Sequence, residues 1–475
     1  MLPVQLCVAA LLVVCITHWI YRWRNPKCNG ILPPGSMGLP LVGESLQLLV
    51  PSNSFDLPPF LKTRLHRYGP IFRTSVAGRA VVVSADPEFN HFIFQQQGRL
   101  VESWYLDLFA KLFKQAENRA DGAYVHKYVR NLILSHFGVE SLKETLLSPL
   151  EATVRETIST WSNQESVEVK DAVSAMAFDF ATREIYSSDA ENFSQNLREK
   201  FTCLSRGLLS FPLNIPGTTY NKCLKNRKAA LDLLSMLVKK RRASPDQMHK
   251  KVDVLDHVLQ DMTSEKFLTE DFIVQLMFGL SFVSFETVSG AATMLINLLG
   301  NNPLVLEELT AEHEGILKKR ENPNSSITWE EYKSMTFTLH VINETLRLGS
   351  VSPGLLRRAR KDIEFNGYTI PKGWAIMLLS SAVQMNPEIY KDPLSFNPWR
   401  WKDLEPSVIS KNYMPFGSGI KQCAGSEYTK LFLATFIHVL VTKHRWIKIR
   451  GGNVTRNPML QLKNGLCIKI LGKND

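Results

Sequence analysis

The 475-residue chain lacks the sequence features that define several common protein classes. Its seven cysteines are irregularly spaced and form neither a paired framework nor a zinc-binding pattern. We therefore expect a reducing compartment and no structural disulfide. No internal repeat or low-complexity linker divides the chain, which favours one large domain. Motifs of zinc enzymes and serine hydrolases are also missing.

The charge of the chain is positive, with 56 basic and 45 acidic residues and a formal net charge of +11. The basic residues are scattered, and no RNA- or DNA-binding signature accompanies them, so we expect no nucleic-acid partner. A solvated surface accounts for most of this charge. Basic runs such as Lys239–Arg242 are candidates for contact with anionic lipid or an acidic protein.

The N-terminus predicts a single membrane-spanning helix. Leu2–Ile20 is almost continuously apolar, and three basic residues follow within 22–27, which places the C-terminal bulk on the cytosolic side. A cleaved secretory signal is the alternative, but no basic residue precedes the apolar run and no small-residue cleavage site is evident. We predict a transmembrane anchor at 1–21 and a basic, Pro/Gly-rich elbow at 22–45.

Hydrophobic periodicity predicts a mainly α fold with a small β-rich subdomain. Long segments with apolar residues at helical spacing are Leu142–Trp161, Asn226–Arg242 and Lys430–Thr442. Short runs rich in strand-forming residues are Ile71–Val76, Ala80–Ser84 and Ala375–Ser380.

One further segment, Phe272–Leu299, is apolar on every side. Thr269 is placed to cap its start, and Gly300 and Pro303 follow its end, as in a helix of a soluble domain. A second membrane span is the alternative, but Glu286 lies midway and would be costly in lipid. We therefore expect a buried central helix.

The segment 416–425 contains one cysteine in a glycine-rich loop that leads into an apolar helix. A soft thiolate from Cys423 could bind haem iron, and Gly417 and Gly419 would let the backbone approach a flat macrocycle. Backbone N–H groups at the helix start, after Gly425, could stabilise the negative sulfur. A small buried apolar side chain is the alternative interpretation of a lone cysteine.

This loop resembles the haem-binding signature of the cytochrome P-450 enzymes, the haem-thiolate monooxygenases, with Phe416, Gly417, Cys423 and Gly425 in their expected places. Lys421 stands where the family usually has arginine; it can meet a haem propionate but without a bidentate fork. The resemblance covers nearly the whole chain. It implies a single catalytic haem domain at 46–475, with the long central helix over the haem and the cysteine loop beneath it.

Val283–Thr287 stands where the family places a small-small-X-acid-threonine motif. The resemblance implies that the Thr287 hydroxyl hydrogen-bonds dioxygen or water at the haem, while Glu286 helps to supply protons. Val283 is bulkier than the common alanine and would narrow the space above the haem. A packing accident is the alternative for an isolated Glu-Thr pair.

The resemblance implies two further groups of residues, a buried ionic network and a set of cations at the haem propionates. Glu344 and Arg347 share one helical face, and with Arg400 they are expected to form a buried ionic network that holds the cysteine loop. The cations expected at the haem propionates are His126, Arg130, Arg357 and Lys421. His126 replaces a tryptophan common in the superfamily, and a solvated basic helix face is its alternative role.

Candidate substrate-facing positions are mostly apolar and suit a large, rigid, water-insoluble hydrocarbon. The resemblance to the family places them at Gly279, Phe282, Val283, Val351, Leu355 and Met459. The apolar stretch 208–217 is a candidate for entering the lipid bilayer, with ordinary core packing as the alternative.

Within the family the chain resembles plant microsomal enzymes that oxidise sterols, brassinosteroids and triterpenes, and among them hydroxylases of amyrin-type or cucurbitane skeletons. This implies haem b, insertion of one atom of O2 into an unactivated C–H bond, and electrons from NADPH through a reductase. It also implies the endoplasmic reticulum membrane, with lipid and a hydrophobic small molecule as further partners. The alternatives are a sterol or brassinosteroid-pathway oxidase and a non-catalytic haem-binding protein.

Overall fold

The structure is a computed structural model that describes residues 2–105, 122–187, 191–207, 210, 213–243, 252–322, 324–350, 352, 354–457 and 459–473. Its helices are α1 Leu2–Arg24, α2 Ser45–Leu48, α3 Pro59–Tyr68, α4 Pro87–Gln95, α5 Gly122–Phe137, α6 Val139–Ser141, α7 Leu147–Ser162, α8 Val169–Tyr186, α9 Glu191–Gly207, α10 Thr219–Ala243, α11 Val254–Asp261, α12 Glu270–Gly300, α13 Pro303–Lys318, α14 Trp329–Ser334, α15 Thr336–Leu348, α16 Ser380–Val383, α17 Arg400–Asp403, α18 Pro406–Asn412 and α19 Ser426–Lys443. Its strands are β1 Ile71–Val76, β2 Arg79–Ser84, β3 Val101–Ser103, β4 Val167–Glu168, β5 Leu355–Ala359, β6 Ile363–Phe365, β7 Tyr368–Ile370, β8 Ala375–Leu378, β9 His444–Gly451, β10 Val454–Asn457, β11 Met459–Leu462 and β12 Leu466–Gly472.

The apolar N-terminal segment forms one exposed helix, α1, which is long and apolar enough to cross a membrane. This helix continues to Arg24, three residues past the predicted end of the anchor, because the flanking basic residues are also good helix formers. The elbow that follows is ordered: Arg73 donates its backbone N–H to Pro34 at 2.8 Å, and its guanidinium donates to Pro33 at 2.7 Å.

The central helix α12 runs through the interior and packs against α8, α10, α15 and α19. It begins as predicted, since Thr269 Oγ1 accepts from the Phe272 N–H at 3.2 Å. Although α12 is long and apolar enough to cross a membrane, most of its side chains are buried within the domain. The prediction of a buried core helix is therefore confirmed.

The β-rich region is one mixed five-stranded sheet with smaller satellites. Its strand order is β1-β2-β8-β5-β3, in which β2 and β8 are parallel and the other pairs antiparallel. The predicted strand Ala375–Ser380 ends at Leu378, because Ser380 begins the short helix α16. The predicted helix at Leu142 starts with a π turn, Leu142–Leu146, before α7.

The main hydrophobic core lies among the helices, with two smaller cores beside the sheet. The helical core includes Leu150 of α7, Phe278 of α12 and Phe432 of α19, all almost fully buried. The predicted fold class, mainly α with a small β-rich part, is confirmed. The site described next lies where α12, α5, β5 and the start of α19 approach one another.

Candidate active site

The cysteine loop depends on glycine at two positions. Gly417 and Gly419 both have φ of +70°, a region that other L-residues rarely adopt. A Cβ on Gly419 would also lie 2.8 Å from the carbonyl oxygen of Phe94. The turn is closed by the Cys423 N–H, which donates to Phe416 O at 2.9 Å. These constraints fix where the sulfur is presented.

The Cys423 side chain is accessible on one side, just before α19 begins at Ser426. The surrounding protein still desolvates the sulfur, and this burial raises the pKa of the Cys423 thiol. The Gly425 N–H, which hydrogen-bonds the sulfur, and the charge of Arg130 oppose that rise and lower the pKa. As the sequence predicted, a backbone N–H at the helix start stabilises the thiolate.

Four basic side chains converge beside the loop: His126 and Arg130 from α5, Arg357 from β5, and Lys421. Burial, followed by the charges of Lys421 and Arg130, lowers the pKa of His126 to about 4, so His126 is neutral near pH 7. Burial, followed by the charge of Arg357, lowers the pKa of Lys421 to about 8. Neighbouring positive charges destabilise one another's charged forms, so a bound anion would stabilise this group of basic side chains.

The central helix presents an accessible stripe to this region. Val283 is 50% exposed and Thr287, one turn later, is also exposed, while Gly279 is partly exposed one turn earlier. The Thr287 hydroxyl donates to Val283 O at 2.9 Å, which leaves its oxygen lone pairs free to accept a hydrogen bond. Thr287 is the polar group of this otherwise apolar stripe.

Glu286 faces a different side of the central helix. Its carboxylate accepts from Lys170 Nζ at 2.8 Å and from Ser205 Oγ at 2.9 Å, in a polar cavity of about 230 Å³. Arg206 and Glu168 also line this cavity. Sequence reasoning missed Lys170 and Ser205, because they lie in α8 and α9, far along the chain, and no motif marks them.

The remaining candidate substrate positions differ in where the structure places them. Phe282 is only 5% exposed and packs edge-on against Phe201 and Phe285, with ring centroids 5.8 and 5.9 Å apart, so it lies in the core rather than on the accessible stripe. Leu355 reaches the cysteine loop, since its Cδ1 would be 3.2 Å from a Cβ on Gly417. Met459 is partly buried at the start of β11, and Val351 lies outside the described residues.

The structure brings Glu344, Arg347 and Arg400 together. The Glu344 carboxylate accepts two bonds of 2.8 Å from Arg347 and one of 3.1 Å from Arg400 Nε. Glu344 and Arg347 are both 0% exposed. Trp401 Nε1 adds a donor at 3.0 Å that sequence reasoning missed, although Trp401 directly follows Arg400 in the chain.

Gln384 connects this network to the cysteine loop. Its backbone carbonyl accepts from Arg347 Nη1 at 2.9 Å, and its amide Nε2 donates to Arg347 O at 3.1 Å. Its amide oxygen accepts from the Met414 N–H at 3.1 Å, and Met414 O in turn accepts from the Gly417 N–H at 3.2 Å. This continuous path explains how a distant helix can hold the loop, and no sequence signal pointed to Gln384.

The chain matches known proteins along nearly its whole length. The sequence model of the family described as Cytochrome P450 matches residues 33–469. The chain belongs to the cytochrome P450 family. It is similar to a cucurbitadienol 11-hydroxylase of Siraitia grosvenorii, at 51% identity over 100% of both chains, and to a beta-amyrin 16-alpha-hydroxylase of Maesa lanceolata, at 48% identity over 98% of both.

The P450 fold is also seen in a solved relative, a retinoic acid-bound cyanobacterial CYP120A1. The TM-score is 0.80, and the alignment covers 94% of this chain and 100% of that one at 24% sequence identity. Membership of the family makes this P450 a haem-thiolate monooxygenase that uses O2 and electrons from a redox partner.

The residues present fit the haem of a P450. Arg357 is only 6% exposed, and its Nε is buried without a hydrogen-bond partner. Within the described part of the chain, no carboxylate pairs with His126, Arg130, Arg357 or Lys421, so the two propionates of a haem would supply the missing negative charge. The Cys423 sulfur lies beside these cations and is of the soft ligand type that haem iron binds.

Proposed function

We propose that this P450 hydroxylates an unactivated carbon of a triterpenoid of the amyrin or cucurbitane type. The observation that carries the proposal is the similarity, along almost the full length of the chain, to two enzymes named for cucurbitadienol and beta-amyrin. The accessible stripe of Gly279, Val283 and Thr287 agrees with such a substrate, because it offers apolar contact and one hydroxyl.

The Cys423 thiolate would bind the iron of haem b, and His126, Arg130, Arg357 and Lys421 would hold its propionates. When bound, haem supplies the reductive activation of dioxygen. Phe416, Gly417 and Gly425 shape the loop around the sulfur. Neutral His126 would donate a ring N–H, whereas Arg130 and Arg357 would contribute positive charge.

The central helix would supply positioning and protons. With its hydroxyl hydrogen donated to Val283 O, Thr287 can accept a hydrogen bond from a water molecule or a protonated group in the site. Glu286, one residue earlier, is held by Lys170 and Ser205 in the polar cavity on a neighbouring side of the helix. A carboxylate between this cavity and the accessible stripe can pass protons from the cavity towards Thr287. The apolar side chain of Val283 would exclude water from the substrate side of the stripe.

Helix α1 would anchor the enzyme in the endoplasmic reticulum membrane as a single span, with the catalytic domain in the cytosol. NADPH would deliver electrons through a membrane-bound reductase. Leu213 and Ile215, which precede α10, are about half exposed and would touch lipid, from which a water-insoluble substrate could enter.

The test is expression with a plant reductase in yeast strains that make cucurbitadienol or beta-amyrin, beside a parent strain that makes only its own sterols. We expect a new mono-oxygenated triterpenoid by mass spectrometry, with its oxygen labelled when the culture receives ¹⁸O2. Cys423→Ala should abolish the product, because the metal ligand is lost.

A reduced, carbon monoxide-bound spectrum provides the control for folding and haem binding. If wild-type enzyme gives that spectrum but no oxygenated triterpenoid in either strain, the proposed substrate class is wrong. If the parent strain instead accumulates an oxygenated sterol, the enzyme acts on sterols.

A further inference from the structure

Two cysteines meet where α9 lies against α10, outside the active site. The Cys223 thiol donates to the carbonyl oxygen of Cys203 at 3.2 Å. Asn226, one turn beyond Cys223 on α10, donates its amide Nδ2 to Cys203 Sγ at 3.3 Å. Because residues three apart share a helix face, Cys223 and Asn226 both face Cys203.

The contact between the two helices is unusually close at this point. Cys223 is fully buried, and a Cβ on Gly207 would lie only 1.8 Å from its sulfur, so no larger residue fits at Gly207 without moving it. Burial raises the pKa of the Cys223 thiol to about 11, and the adjacent Cys203 thiol raises it through both charge and a hydrogen bond. The two thiol groups are therefore immediate neighbours.

We propose that Cys203 and Cys223 are a redox-modification site that forms a reversible disulfide in the presence of peroxide. The alternative is that both are merely small apolar residues that fit a tight helix contact. The hydrogen bond from Asn226 to Cys203 Sγ argues against packing alone, because a polar amide group is directed at a sulfur that a purely apolar contact would not need to satisfy.

Cys203 reacts first because it is partly exposed, whereas Cys223 is buried. The Cys203 thiolate attacks the O–O bond of hydrogen peroxide, which gives a sulfenic acid at Cys203 and releases hydroxide. The Cys223 sulfur then attacks the Cys203 sulfur, and the sulfenic oxygen leaves as water with the Cys223 proton. Two thiols and one peroxide thus give one disulfide and two waters, and a thiol reductant reverses the reaction.

The bond would tie α10 to a helix that contacts the central helix on either side of Cys203. Phe201 of α9 packs on Phe278, with ring centroids 5.1 Å apart, and Ser205 donates to Glu286. A link at Cys203 therefore restrains the segment of α9 that carries both contacts.

The test uses the purified full-length holoenzyme in detergent. After exposure to hydrogen peroxide, the protein is quenched in acid with N-ethylmaleimide, digested and analysed by mass spectrometry. We expect a linked Cys203–Cys223 peptide that dithiothreitol removes, and its loss in Cys203→Ser and Cys223→Ser. Cys28→Ser is the matched control, because the Cys28 thiol also donates to a backbone carbonyl, that of Thr369 at 3.7 Å. This variant should keep the linked peptide, because it leaves Cys203 and Cys223 in place.

A second variant tests the geometry. Gly207→Ala should slow the cross-link by roughly tenfold, because its methyl group displaces the Cys223 sulfur. The proposal is overturned if Cys203 is trapped only as a sulfenic or sulfinic acid while Cys223 remains alkylated after denaturation. It is also overturned if the linked peptide forms only in protein that has lost its carbon monoxide spectrum.

Discussion

Replacing Glu344 by glutamine removes the negative charge at the centre of the buried network. The carboxylate accepts five hydrogen bonds, from Arg347 twice, from Arg400, from Trp401 and from the Asn397 N–H at 3.0 Å. A glutamine has one carbonyl oxygen, and its NH2 group would face donors. Arg347, which is fully buried, would lose its counter-charge. We expect the free energy of unfolding to fall by about 3–5 kcal/mol.

The chain offers a matched control in another acid–base pair with the same spacing. Glu330 and Lys333 are also three residues apart on a helix, with a 3.0 Å contact, but their side chains are 78% and 54% exposed. Glu330→Gln should therefore change stability by less than about 1 kcal/mol. Denaturant unfolding of both variants measures the difference, and haem retention after dialysis reports on the cysteine loop.

The predicted stabilisation by the buried network is wrong if Glu344→Gln is no less stable than Glu330→Gln. The predicted link to the cysteine loop is wrong if Glu344→Gln is strongly destabilised but retains haem as well as wild type does. The second result would separate the network from the loop that presents Cys423.

Three further predictions follow from the contacts. Gln384→Leu strands the Met414 N–H and should cost about 1–3 kcal/mol with weaker haem retention, so wild-type retention would exclude Gln384 as the link. Glu286→Gln should lower product formation on the order of 100-fold without altering substrate binding, because the amide cannot pass on protons as the carboxylate does. Ser174→Ala, in the same cavity, is the control, and an equal loss of product in that variant would contradict a specific proton role for Glu286. His313 and His438 are a buried pair, 3.0 Å apart, whose pKa values burial lowers, that of His438 to about 3. Because only the unfolded chain takes up the His438 proton between pH 6.5 and about 3, the stability that His438 contributes should be full above pH 6.5 and should fall by about 2 kcal/mol at pH 5. In urea unfolding, an unchanged pH dependence in His438→Leu would refute this.

Much of the site was predictable because its signals are local. The apolar run of α1, the cap at Thr269 and the glycines around Cys423 each act within a few residues of chain. The resemblance to a known family then supplied Thr287, Glu344, Arg347 and Arg400 in order. The structure brings the last three into contact and places Thr287 on the accessible stripe.

The partners of these residues could not be predicted in the same way. Gln384 and Lys170 reach the site from elements distant in sequence, and only packing sets those distances.

Sequence alone determined the apolar N-terminal helix, the buried central helix and the glycine-rich loop that presents Cys423, because each is specified by neighbouring residues. Tertiary structure decided which side of the central helix each residue faces. A helix that is apolar all round has no polar stripe to indicate its orientation, so Phe282 and Val283 were equivalent candidates in the sequence. Adjacent helical residues differ by about 100° around the axis. Packing against Phe201 therefore buries Phe282 and turns Val283 and Thr287 to the accessible side, while Glu286 meets Lys170.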